Sequence, residues 1–253
     1  MRRNGIFAAT AWGVVSLFAC DASEPTGPVE EFSAANGLAA AAASQTLDPA
    51  LCAIDRPGYT LGSENDFFPL GVGSWWKFKG EEDGTLLELR ITVLNQTEKV
   101  GGVRTRVVEE REWEDGNLLE VSLNYYAEAS DGTVCYFGEA VDIYDEDGNI
   151  VSHAGAWRAD EPGNAPGIFM PSDPEPGMTY QMERAPGIAE DTATILRSGR
   201  VRVPAGTFFE TIKIRETNPL DGGTGTKIFA EDVGLIVDGP VTLRQYFVAD
   251  DGD

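Results

Sequence analysis

The chain has 253 residues, of which 42 are Asp or Glu and 19 are Lys or Arg, for a formal net charge of −23. So acidic a surface argues against nucleic acid as a partner and against electrostatic attachment to anionic lipid heads. With 42% hydrophobic residues the chain can bury a real core, and its length fits one large domain plus a tail.

Met1-Arg2-Arg3 precedes an uncharged, mostly apolar run from Ile6 to Ala19 that stops at Cys20. Two cations, a short apolar core and a small-residue cleavage region make residues 1–19 an export signal. Leu17-Phe18-Ala19-Cys20 resembles the lipobox of bacterial lipoproteins, whose cysteine becomes the acylated first residue. That resemblance implies a lipid anchor at Cys20, a membrane as partner and an extracytoplasmic address in a bacterial cell envelope. Losing Arg2 and Arg3 with the signal moves the net charge from −23 to −25. No later apolar run approaches the roughly 20 residues of a spanning helix.

Residues 20–60 read as a lipid-anchored, flexible tether. Asp21 to Val29 is polar and contains Pro and Gly, and Ala39 to Ala43 shows no sustained amphipathic period. Cys52 and Cys135 are the cysteines left once Cys20 is used. In an oxidising compartment they could form a disulfide that pins the tail to the domain, worth on the order of 4 kcal/mol by chain entropy. The other reading is two separate small apolar residues.

Residues 61–253 read as an all-β domain. Leu87, Leu89, Ile91 and Val93 alternate with Glu88, Arg90 and Thr92, the period of a strand with one buried face. Leu119, Val121 and Leu123 against Glu120, Ser122 and Asn124 predict the same, with the polar set wet. Asp83-Gly84, Gly101-Gly102, Asp115-Gly116, Asp131-Gly132 and Asp147-Gly148 supply hairpin turns at intervals of 14 to 18 residues. Long strands between close turns predict an antiparallel up-and-down meander, closed into a barrel or half-barrel. Residues 158–178 carry too many Pro and Gly for a strand or helix and read as a flap. A second strand set is expected over 179–184, 192–203, 208–217, 227–237 and 241–249.

Several segments resemble a loose family of uncharacterised secreted bacterial β-proteins, many of them lipoproteins. They are Phe67-Phe68-Pro69-Leu70 with Gly73 and Trp75, Tyr136-Phe137-Gly138-Glu139, Pro166 to Pro171, Val203-Pro204-Ala205-Gly206-Thr207-Phe208 and Ile228 to Ile236. The chain departs from the family at Cys135, where Trp is usual, and at Asp232, where Gly is usual. The resemblance implies an extracytoplasmic β domain and brings no catalytic residues. Gly73-Ser74-Trp75 is also similar to the opening of lipocalin barrels, whose Trp packs on a late Arg, for which Arg244 could serve.

Candidate chemistry is sparse. His153 is the sole histidine and has no nucleophile motif nearby. Met170, Met178 and Met182, with His153, could offer soft ligands to copper, but methionines also pack irregular cores. Asp145 and Asp147, with Glu190 and Asp191 from another strand, could offer oxygens to Ca²⁺, although the EF-hand spacing is missing. Tyr126, Tyr136, Glu139, Trp157, Met170 and Glu183 could line a hollow under the flap and hold a small amphipathic ligand or envelope component. The leading expectation is a membrane-anchored binding or envelope-interaction module. A hydrolase or carbohydrate-active enzyme using desolvated carboxylates such as Glu139 and Glu183 is the alternative. A structural Ca²⁺-dependent surface protein is a third.

Overall fold

A computed structural model describes residues 29–31, 44–62 and 64–249. The export signal, Cys20 and much of the expected tether lie outside the described residues. Two short segments, β1 (Val29–Glu31) and β2 (Gln45–Thr46), precede a 3-10 turn at Pro49–Cys52. Five strands follow as a meander: β3 (Trp75–Glu82), β4 (Thr85–Val100), β5 (Val103–Glu114), β6 (Asn117–Glu128) and β7 (Val134–Tyr144). Asp83-Gly84, Gly101-Gly102 and Asp115-Gly116 all hold positive φ at both positions, as two-residue hairpin turns of primed type require.

Four short strands come next: β8 (Ile150–Ser152), β9 (Trp157–Arg158), β10 (Gly167–Met170) and β11 (Met178–Gln181). A second set comprises β12 (Thr192–Ser198), β13 (Arg200–Val203), β14 (Gly206–Phe208) and β15 (Thr211–Thr217). It ends with β16 (Thr224–Ala230), β17 (Gly234–Asp238) and β18 (Val241–Phe247). One large sheet runs in the order β10-β7-β6-β5-β4-β3-β18-β17-β16-β15-β12-β11-β2, with β8 and β9 also on β7, and β1-β13-β14 form a small second sheet. The all-β antiparallel meander is thus as the turn spacing predicts; the parallel β2–β11 pair departs from it.

The large sheet curls until its ends meet, but no ladder joins β10 to β11. Ala165 N donates to Arg184 O at 3.0 Å, and the Arg184 guanidinium donates to Pro166 O at 3.2 Å. A Cβ at Gly167 would lie 2.0 Å from Met182 O, so only glycine permits this approach. The result is a half-barrel rather than a closed barrel.

Other expectations change in detail. The 158–178 segment is no detached flap: its β10 pairs with β7, and Ile168 and Met170 are fully buried. Its prolines sit outside those four residues, where no ladder donor is lost. The expected strand over 227–237 is a hairpin, turned by Asp232 at φ 61°. That left-handed backbone is one glycine adopts freely and Asp tolerates. Trp75 is half-buried with Lys77 over its ring, whereas the adjacent Trp76 is the buried indole, donating to Val233 O at 2.7 Å. Arg244 is exposed at a bulge, so the lipocalin-like Trp–Arg closure is not formed.

From Ser44 onward the expected tether is packed on the domain. Cys52 is buried and disulfide-bonded to Cys135 with a Cα–Cα distance of 5.5 Å, and Tyr59 meets Phe137 edge-on at 5.2 Å. This layer covers the outer side of β7, which is why Cys135 and Phe137 are buried as well as the inward Tyr136. The bond closes a loop with a sequence separation of 83. Replacing both cysteines by Ser is expected to lower stability by about 2–4 kcal/mol. Urea unfolding should show it, and reductant should then shift only the parent protein.

Candidate functional site

The inner face of the half-barrel is not the apolar surface that strand alternation predicts. On β6 the polar set faces in: Ser122 and Asn124 are each 2% exposed, and Ser122 lies opposite Glu110 and Asn124 opposite Glu139. Val121 and Leu123 face outward. Towards β3 and β18 the inner face is filled by Trp76, Phe78, Ile91 and Leu243. Between these zones lies a cavity of about 60 Å³, room for a few water-sized groups.

One wall of the cavity is aromatic. Tyr126 stacks on Tyr136 at 4.9 Å and 19°, and Phe169 meets Tyr126 at 4.8 Å and Phe68 at 4.5 Å. Phe68 and Phe169 are the partly exposed members, so they stand at the opening. Trp157 backs the wall, edge-on to Tyr136 at 5.3 Å. The Tyr136 hydroxyl donates to Asn124 Oδ1 at 2.5 Å, fixing the phenol across the strand pair.

The other wall is ionisable: Glu110, Glu183, Asp191 and Glu216 line it, and among the described residues Lys227 is the one cation there. Lys227 Nζ lies 2.5 Å from Glu216 Oε2 and 3.5 Å from Asp238 Oδ1. Burial alone would lower the Lys227 pKa, but Asp238 and Glu216 outweigh it and raise it. One cation cannot balance so many carboxylates. Burial, helped by neighbouring carboxylates, pushes Glu110, Glu112 and Glu183 up to about 8 and Asp191 up to about 7. Glu139 is raised well above the usual carboxylate range, first by burial and then by Glu183. One oxygen each of Glu110, Glu139, Asp191, Glu216 and Asp238 is enclosed without a hydrogen-bond partner among the described residues. Buried acceptors are normally satisfied, so five orphans, three of them on residues that line the cavity, are unusual.

The structure therefore brings Tyr126, Tyr136, Glu183 and Asp191 together on one cavity, with Glu139 and Trp157 directly behind. Met170, at the end of β10, is buried in the core and does not line it. The oxygens considered for Ca²⁺ do not converge. Asp145 Oδ1 accepts from the backbone N of Asp147 and Asn149 in the β7–β8 turn, and those amides hold its carboxyl below the usual range. Asp147 shares that exposed turn, and Glu190 accepts from Gly187 N at 2.6 Å in another. Among the described residues no three His, Cys, Asp or Glu stand where they could hold one metal ion. His153 is exposed beside Asp142 at 2.9 Å, apart from the buried Met170 and Met182.

Glu110, Glu112, Glu216, Lys227 and Asp238 escape a reading by alternation, because polar residues in a strand are assigned to water. A signal was nevertheless present: Glu110 and Glu112 both follow Val108 on one face of β5, the face that lies opposite Leu89 and Ile91. No family model matches the chain, and no curated protein or solved structure matches it either.

Proposed function

We propose that this chain is an extracytoplasmic binding module, anchored through Cys20, whose ligand enters the half-barrel cavity between the aromatic and carboxylate walls. The observation that carries this reading is the set of enclosed, partnerless carboxylate oxygens facing an aromatic wall. Such a site asks for what it lacks: a donor-rich, cationic head. An apolar stem would lie against Phe68 and Phe169 at the opening, and aromatic faces also attract cations. At about 60 Å³ the cavity admits the head rather than a whole ligand.

The test compares hexylamine with hexanol by calorimetry and thermal shift. The amine is expected to bind and raise Tm, and the alcohol not. Asp191→Asn should abolish the effect without unfolding the domain, since the Asp191 Oδ1 that it alters is partnerless in the fold. Because Asp191 is pushed up to about 7, a bound cation displaces its proton, and affinity should rise between pH 6 and pH 8. Equal responses to amine and alcohol would reduce the cavity to an apolar crevice.

A hydrolase is the second reading, favoured by the mutual effect of Glu139 and Glu183, two desolvated carboxyls of which one raises the pKa of the other. A general acid needs that property. A sugar ring would require the cavity to widen, and turnover of chromogenic glycosides abolished by Glu183→Gln is the result that would promote it.

A further inference from the structure

The outer face of β18, β3, β4 and β5 carries a feature that folding does not need. Lys77 lies directly opposite Arg90, and Arg90 directly opposite Arg111, so three cations stand in one cross-strand row. Like charges opposite each other destabilise a sheet. With 42 acidic residues against 19 basic ones, the chain had carboxylates to spare for those positions. Lys79 and Arg244 flank the row, and with Lys77, Arg90 and Trp113 they line a groove of about 630 Å³. Two carboxylates of the face are already engaged: Glu88 with Lys79 at 2.6 Å, and Glu109 with Arg111 at 2.9 Å. Glu81 stands at its rim, exposed. Arg90 is exposed, and among the described residues it makes no ion pair.

Aromatic rings border the cations. Phe247, 52% exposed, pairs in register with Trp75, whose ring carries Lys77 Nζ 5.1 Å from its centroid. Rings beside Lys and Arg are the composition of surfaces that sit at lipid headgroups. The chain's path supplies a second argument. β1 pairs with β13, with Val29 opposite Arg202, and the β13–β14 turn joins β18 through Ala205 N donating to Leu243 O at 3.1 Å. Nine residues take the chain from Cys20 to Val29, a contour of at most ~32 Å. An acyl group on Cys20 would therefore hold the β18 side of the domain close to the bilayer.

We propose that this basic, aromatic-bordered face rests on the anionic lipid headgroups of the membrane in which Cys20 is anchored, a proposal that rests on the anchored reading above. The net charge of −23 does not forbid it. At physiological ionic strength the Debye length is about 8 Å, so carboxylates on other faces are screened while the row in contact is not. Whole-chain charge therefore misleads about this one face.

The test uses the full chain with Cys20→Ser, so that no acyl chain contributes, and every protein compared carries the same N-terminus. Flotation is measured with phosphatidylcholine vesicles and with vesicles containing equal parts phosphatidylglycerol. Binding is expected with the anionic vesicles, to weaken with salt, and to fall about fivefold for Lys77→Gln and for Arg90→Gln and about 25-fold for both. Because the double variant relieves a repulsive row, it should melt no lower than its parent. Equal flotation of parent and double variant overturns the proposal, as does equal binding to neutral vesicles. Dextran sulfate or pyrophosphate binding without flotation also overturns it, making the face a site for soluble anions. Labelled palmitate fed to cells making the natural chain reports on Cys20 independently. Without label but with charge-dependent flotation the anchor fails and the face stands; with label but no flotation the reverse holds.

Discussion

Raising the pH from 5 to 8 is expected to destabilise this domain, by about 4 kcal/mol if the native state holds one proton more than the unfolded chain on average across that range. Burial pushes Glu110, Glu112 and Glu183 up to about 8, Glu120 and Asp191 up to about 7, and Asp238 up to about 6. In the unfolded chain these groups titrate near 4. A folded pKa above the unfolded value means stability that is fully present below pH ~4 and lost as pH rises through the folded pKa. Asp131 and Asp160 work the other way. Despite burial, the Thr133 amide and Arg56 lower the first, while Arg158 and the Gly101 amide lower the second. Their contribution is lost only in acid, so the maximum should fall near pH 4–5 rather than at neutrality. Thermal melts at pH 5, 6.5 and 8 and constant ionic strength measure the slope. Glu110→Gln and Glu183→Gln should each flatten it, because a neutral amide removes one titrating group. A Tm that climbs from pH 5 to 8 would show that the inner carboxylates are hydrated and ionised in the native state.

The same carboxylates mark where a sequence stops being legible. Turns were readable because Asp-Gly and Gly-Gly state their own backbone geometry, and from them the meander and its strand order followed. Leu89, Ile91 and Val93 were readable because an apolar residue has one destination. Ser122, Asn124 and Lys227 were not, because a polar residue in a strand reads as wet unless a partner across the half-barrel is known. That partner lies far along the chain: Lys227 and Glu216, on β16 and β15, line the same cavity as Glu110 of β5. Asp232 hid a hairpin for a related reason, since Asp at positive φ is uncommon and the Glu-Asp-Val-Gly run carries no clear turn signal. Tyr126 and Tyr136 were legible as a pair because turn spacing places them on adjacent strands, and they stack.

Lys227→Met should cost about 3–5 kcal/mol at pH 8, the usual penalty for stripping the partner from buried charges. Glu216 and Asp238, 6% and 7% exposed, would be left facing each other with no cation between them. At pH 5 the penalty should shrink, since Asp238, pushed up to about 6 even with the lysine present, can then shed its charge. Adding Glu216→Gln and Asp238→Asn to Lys227→Met should recover most of the loss, because a neutral set of similar volume removes the desolvated charges altogether. Chemical denaturation of the single and triple variants at both pH values decides this, and a pH-independent loss would assign Lys227 to packing alone. The single variant also bears on function. If the cavity accepts an alkylammonium head, the Lys227 amine is the resident competitor for its acceptors, and Lys227→Met should bind hexylamine severalfold more tightly while folding less stably. Lower stability with unchanged amine affinity would separate the ion pair from the site and leave Asp191 and Glu183 as its carboxylates.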